Sequence, residues 1–192
     1  MLIAFGVLGV RVAIQLRRTG STGLVGLREG AGPADLLSGI LFVGGIAMGI
    51  ASPVLVLNDA LEPISALDVD PVGVIGIVLA AAGGLAVFAA QLGMGESWRI
   101  GVSDEQRTEL VTGGWFSLVR NPIYSAMILA LLGFALMVPT WLGFAAVIAV
   151  AAGLEVQVRA VEEPYLRRTH GEAYRDYASR VGRFVPGIGR RR

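Results

Sequence analysis

Residues 110–124 read Leu-Val-Thr-Gly-Gly-Trp-Phe-Ser-Leu-Val-Arg-Asn-Pro-Ile-Tyr. This is a polar, glycine-marked approach to an apolar run. Glycine has no Cβ, so Gly113-Gly114 offers backbone that can turn tightly or let a ligand come close. Asn121 before Pro122 reads as an N-cap and a first-turn proline, which accounts for both residues without any ligand. The chain then turns apolar over residues 122–138 and again over 141–158. A bilayer takes about 20 apolar residues, fewer where it thins, so both runs read as spans. Only Pro139-Thr140 separates them, which makes them an antiparallel hairpin with Trp141 at the membrane interface.

The rest of the chain agrees. Of 192 residues, 54% are hydrophobic and 16% charged, a membrane composition. Residues 36–57 form a further span, announced by Pro33 and Asp35. Asp70-Pro71 opens another over 71–93, rich in Gly and Ala and suited to close helix packing. Residues 1–16 make a short first span, with Arg11 near its far end. The expected fold is all-α: one integral membrane domain over 1–192, with about five transmembrane helices. A polar helical tail, 159–192, follows, with a break near His170-Gly171. Tyr174 and Tyr177, three apart, share a helix face and should dock the tail on the loop before residue 122.

Five spans put the two ends of the chain on opposite sides. Fifteen of the sixteen basic residues, all arginine, then share one face. The opposite face carries Asp59, Glu62, Asp68 and Asp70 in its main loop. The positive-inside rule puts the arginine face in the cytoplasm and the N-terminus outside, as for the cell (inner) membrane of a bacterium. Residues 110–124 and the tail both fall on the cytoplasmic side. No cleavable leader is expected at the N-terminus.

With no cysteine and one histidine, His170, disulfide and thiolate chemistry are excluded and no metal site is expected. The phosphate loop of nucleotide hydrolases is missing, as is the aspartate-rich motif of lipid phosphotransferases. A nucleic-acid role is not expected at this surface. Arg190, Arg191 and Arg192 read as lipid-headgroup contacts, so membrane lipids are partners; composition leaves the oligomeric state open. At 3.6 residues per turn, Glu155, Arg159, Glu162 and Glu163 should project within about 100° of one another. Pro164 loosens that expectation for Glu163. A solvated helix end with i,i+4 pairing explains such a group in part, but Glu155 falls inside a span and wants a partner or a cavity.

Two segments together resemble the isoprenylcysteine carboxyl methyltransferase and phospholipid methyltransferase superfamily. The first is Leu-Val-Thr-Gly-Gly-Trp-Phe followed by Arg-Asn-Pro-Ile-Tyr, where Asn121 replaces the usual histidine and Phe116 a common tyrosine. The second is Glu162-Glu163-Pro164, then residues 170–177, then Pro186. The likeness covers about residues 93–187.

The resemblance implies S-adenosylmethionine as cofactor, bound at the cytoplasmic membrane surface. The cofactor-binding residues it implies are Thr112, Gly113, Gly114, Asn121, Tyr124, Glu162 and Glu163. The glutamates would meet the cofactor's ammonium, and backbone groups at 112–114 and at Asn121 its adenosine or carboxylate end. Gly93 and Gly95 resemble a Gly-x-Gly element of phosphatidylethanolamine methyltransferases, although a structural turn explains them as well. For catalysis the candidates are Arg159 first and Arg120 second, to hold a carboxylate nucleophile, and Glu163, to take a proton from an amine.

The implied substrate is a lipophilic small molecule entering from the bilayer. A carboxylate on a prenyl-like or other lipid tail comes first, and a phospholipid amine second. One rival is an NADPH-dependent membrane reductase of the sterol-reductase type, against which paired glutamates speak. The other is a non-catalytic membrane scaffold, against which intramembrane Glu155 speaks.

Overall fold

The structure, a computed structural model, describes residues 32–93 and 110–190. The expected first span, Gly95 and most of the loop before residue 110 lie outside the described residues. Among the described residues five α-helices follow in order: α1 Pro33–Leu57, α2 Asp70–Gly93, α3 Pro122–Met137, α4 Trp141–Gln157 and α5 Glu163–Arg180. A 3₁₀ turn, Gly114–Ser117, precedes α3, and a π-helical turn, Val158–Glu162, links α4 to α5. Among the described residues there is no strand, only one isolated parallel bridge between Val119 and Gly182.

Helix ends follow the expected signals. Gly32 N–H donates to the Asp35 carboxylate at 3.0 Å, and Pro33 opens α1, where its missing N–H costs nothing. Thr140 caps α4: its Oγ1 accepts from Gly143 N–H at 2.9 Å. Gly171 has φ 55° and ψ −122°, so α5 is broken where the His-Gly pair stands. Helices α1 and α2 and the apolar run beginning at Trp141 are long and apolar enough to cross a membrane. Helix α3, at 16 residues, is shorter, about 24 Å at 1.5 Å per residue. A count of three membrane-length helices plus this short apolar one is what the described residues give.

The chain forms two compact units. One holds residues 32–85 and 124–161 among those described. Here α1 and α4 run antiparallel and are pinned at both ends. Ser38 Oγ donates to Gln157 Oε1 at 2.9 Å, and Ser52 and Thr140 share a buried hydrogen bond of 2.6 Å. Between the pins the helices touch through small residues. Helices α2 and α3 approach still more closely: a Cβ on Gly133 would fall 2.3 Å from Ala80 N and 2.6 Å from Gly76 O. Only glycine fits there, which is the close packing that the Gly/Ala-rich run predicts. Lipid gives no hydrophobic drive between helices, so such contacts and the two polar pins hold this unit.

The second unit holds residues 86–93, 110–123 and 162–190 among those described. Its core is Tyr174, Tyr177 and Ala178, with Leu110, Leu166 and Val181 packed around them. The Tyr177 hydroxyl donates to Phe116 O at 2.6 Å, so the tail docks on the loop before α3, as the tyrosine spacing predicts. Burial pushes the Tyr177 hydroxyl far above its ordinary pKa, against the opposing charge of Arg120, which keeps it a proton donor for this bond.

One expectation fails here. The π turn at Val158–Glu162 interrupts the 3.6-residue progression. The projection that placed Glu155, Arg159, Glu162 and Glu163 within one arc assumed an uninterrupted α-helix; past Arg159 that assumption fails, while Glu155 and Arg159 keep the expected pairing one turn apart.

Candidate functional site

Arg120 lies shortly before α3 and is buried, 6% exposed. Its Nη2 donates to Glu163 Oε1 at 2.9 Å and to Gly189 O at 3.1 Å. Its Nη1 donates to Ala178 O at 2.9 Å and Val181 O at 2.6 Å. A planar guanidinium can serve four acceptors at once because its donors lie in a fixed fork. Glu163, 1% exposed at the start of α5, takes a second guanidinium. Arg183 Nε donates to Oε1 at 2.7 Å, and Nη2 to Oε2 at 3.3 Å. Arg167 lies 3.7 Å away, one turn along the helix.

Burial alone would raise the Glu163 pKa. The hydrogen bonds and charges of Arg183 and Arg120 outweigh it and hold the carboxyl below its ordinary value. Glu163 is therefore an anion locked between two cations.

The backbone reinforces the knot. Arg120 N–H donates to Gly182 O at 2.8 Å and Asn121 N–H to Arg183 O at 3.0 Å. The Asn121 side chain donates to the same Arg183 carbonyl at 3.2 Å. Gly182 is required: a Cβ there would fall 2.2 Å from Val185 O. Both halves of the sequence signature thus meet in one unit, joined by a buried ion cluster.

The cluster engages several of the candidate residues. Glu163 was expected to meet a cofactor ammonium or take a proton; its oxygens are instead engaged by Arg120 and Arg183. Arg120 was second choice to hold a carboxylate nucleophile, but two carbonyls of the α5 end, Gly189 O and Glu163 occupy its terminal nitrogens. The Asn121 N–H, expected to face an anionic ligand, is spent on Arg183 O.

The other candidates differ in exposure. Thr112, Gly113 and Gly114 are exposed, and no atom lies within 4 Å of a Cβ built on either glycine. Gly93 ends α2 and is exposed, with Trp115 Cδ1 4.0 Å from a Cβ built on it, so it lies beside the 112–115 segment. Glu162 is half-buried at the end of the π turn. Tyr124, in the first turn of α3, is half-buried, and Arg159 is exposed and paired with Glu155; both belong to the other unit. Among the described residues no cluster of His, Cys, Asp or Glu could hold a metal ion.

Arg183 was missed. It is one of nine arginines after residue 158, and it lies in a turn where no periodicity singles it out. Nothing in the sequence but its place three residues before Pro186 could have pointed to it.

A family described as phospholipid methyltransferase matches residues 72–173, more than half of the chain. Arg183 lies beyond the matched stretch. No curated protein and no solved structure matches the chain.

Proposed function

Because the chain belongs to the phospholipid methyltransferase family, we propose that it transfers a methyl group from S-adenosylmethionine to a lipophilic acceptor held in the bilayer. The observation that carries the reading is the joining of both signature halves in one compact unit, through Arg120, Glu163 and Arg183, beside open backbone at 112–114.

The residues present fit such a cofactor. Exposed glycine backbone suits its adenosine or carboxylate end, and the half-buried carboxylate of Glu162 suits its ammonium. When bound, the cofactor supplies an electrophilic methyl on a sulfonium. Thr112, Gly113 and Gly114 orient it, Glu162 anchors it, and Glu163 serves from a distance by fixing the loop against the tail. Arg159 remains the candidate to orient the acceptor. Transfer needs alignment and exclusion of water more than acid–base help. We read all 192 residues as one methyltransferase domain, since α2 contributes to both units.

Among acceptors we put a phospholipid amine first, in keeping with a family described as phospholipid methyltransferase. A lipid carboxylate is the second reading, and the exposed guanidinium of Arg159 favours it. The products differ in chemistry: mild base cleaves a methyl ester and leaves an N-methyl group intact.

Calorimetric titration of the detergent-purified protein tests the whole reading. S-adenosylmethionine should bind, and Glu162→Gln should weaken it about ten- to a hundredfold, the value of one charge-assisted hydrogen bond of about 1.5–3 kcal/mol. NADPH binding without S-adenosylmethionine binding would replace the reading with a reductase.

We read the site as facing the cytoplasm, the side that the positive-inside rule gives an arginine-rich face. Single cysteines at Ser65 and Ser179 should then react with an impermeant reagent from opposite sides of the membrane. Labelling from one side only would overturn that orientation.

A further inference from the structure

The unit built on residues 110–123 and 162–190 hides its aromatic core well, yet it leaves four large apolar side chains in the open. Tyr165, Tyr174 and Tyr177 are at most 5% exposed, whereas Trp115, Leu118, Val185 and Ile188 are 47–66% exposed. These four do not belong to the membrane-length helices. They fall in two turns, one before the Val119–Gly182 bridge and one after it. Hydrogen bonds tie the turns together: Arg120 N–H to Gly182 O, Asn121 N–H to Arg183 O, and Arg120 Nη2 to Gly189 O. Scattered apolar residues are ordinary on a surface, but four in two joined turns make a feature.

We propose that these turns are an interfacial anchor, seating Trp115, Leu118, Val185 and Ile188 in the headgroup layer of an anionic bilayer. Three observations favour the bilayer as occupant. First, Trp115 lies seven residues before α3 opens at Pro122, so the turns are tethered to an apolar helix and never far from lipid. Second, the second turn pairs part of its backbone internally. Ile188 N–H donates to Val185 O at 3.1 Å, and Arg183 N–H to Ile188 O at 2.8 Å. A turn with these groups paired can enter a less polar layer at lower cost. Third, the apolar tip is followed at once by Arg190, Arg191 and Arg192, whose charge complements anionic headgroups. Tryptophan beside aliphatic and arginine side chains is the chemistry of that layer. The inference concerns the seating of the unit and does not depend on which group is methylated.

The chain has no cysteine, so one can be placed at will. Full-length Ile188→Cys, carrying an environment-sensitive nitrobenzoxadiazole dye, is reconstituted in phosphatidylcholine vesicles with and without phosphatidylglycerol. Dye on Ser179→Cys, an exposed polar site on α5, is the reference. With phosphatidylglycerol, the dye at 188 should emit to the blue of the reference and be quenched by lipids spin-labelled near the headgroup. Replacing Arg190, Arg191 and Arg192 together by glutamine should reduce that quenching, as should pure phosphatidylcholine. Water-like emission at 188 would overturn the proposal. So would a blue shift that lipid quenchers leave unchanged and that grows with protein density, because a second copy would then cover the turns. Equal quenching in pure phosphatidylcholine would overturn the anionic preference.

Discussion

Replacing Glu163 by alanine should destabilise the protein by about 3–5 kcal/mol, the cost of breaking a buried ion pair from one side. The change leaves the buried guanidinium groups of Arg120 and Arg183 without the carboxylate that compensates them. Glu163→Gln keeps the shape and one acceptor but loses the charge, so it should cost less. The pH dependence has a definite sign. The native Glu163 carboxyl titrates below its ordinary value. Its contribution is therefore complete above the unfolded pKa, about 4.3, and fades as pH falls through the lower native value. Thermal melts of the parent protein should lose stability on acidification below about pH 4, and melts of Glu163→Gln should depend less on pH there. A melting temperature unchanged by Glu163→Ala at neutral pH would show that the cluster holds nothing together. This expectation departs from a purely ligand-binding Glu163, whose loss would weaken cofactor binding and leave folding intact.

Much of the scaffold was legible in the sequence because bilayers impose length and apolarity on any helix that crosses them. Pro33, Asp70, Pro122 and Thr140 mark where four helices open, three of them within a residue of the expected span and the first three residues before it. The Tyr174–Tyr177 spacing gave the docking of the tail, and Gly171 its break. The candidate site was less legible, for two physical reasons. A helical projection assumes one period, and no residue type announces a π turn such as Val158–Glu162. Charge, moreover, names no partner. Two adjacent glutamates look equivalent in sequence, yet neighbours on a helix diverge, and one of them is sealed between arginines 43 and 20 positions away. Arg183 is visible only once the turn that carries it closes against residues 119–121.

The same distinction between partner and ligand decides Arg159. It projects from the π turn and is paired with Glu155, with 60% of its side chain and 33% of its partner's exposed. An exposed i,i+4 pair is worth about 0.2–1 kcal/mol, far less than the buried cluster at Glu163. Arg159→Ala should therefore barely move the melting temperature. If Arg159 orients the acceptor, the same change should abolish methyl transfer while cofactor affinity stays within a few-fold, because the groups proposed for the cofactor are Thr112, Gly113, Gly114 and Glu162. Arg159→Lys should rescue poorly, since an ammonium cannot reproduce the two-pronged donor geometry of a guanidinium. The competing account makes Arg159 a mere neutraliser of Glu155. On that account Glu155→Gln combined with Arg159→Ala, which removes both charges, should recover full turnover. Melting temperature, cofactor titration and methyl transfer on the single and double variants separate the two. Recovered turnover in the double variant would end the catalytic role of Arg159. Continued loss with normal melting and normal cofactor binding would place its guanidinium on the acceptor.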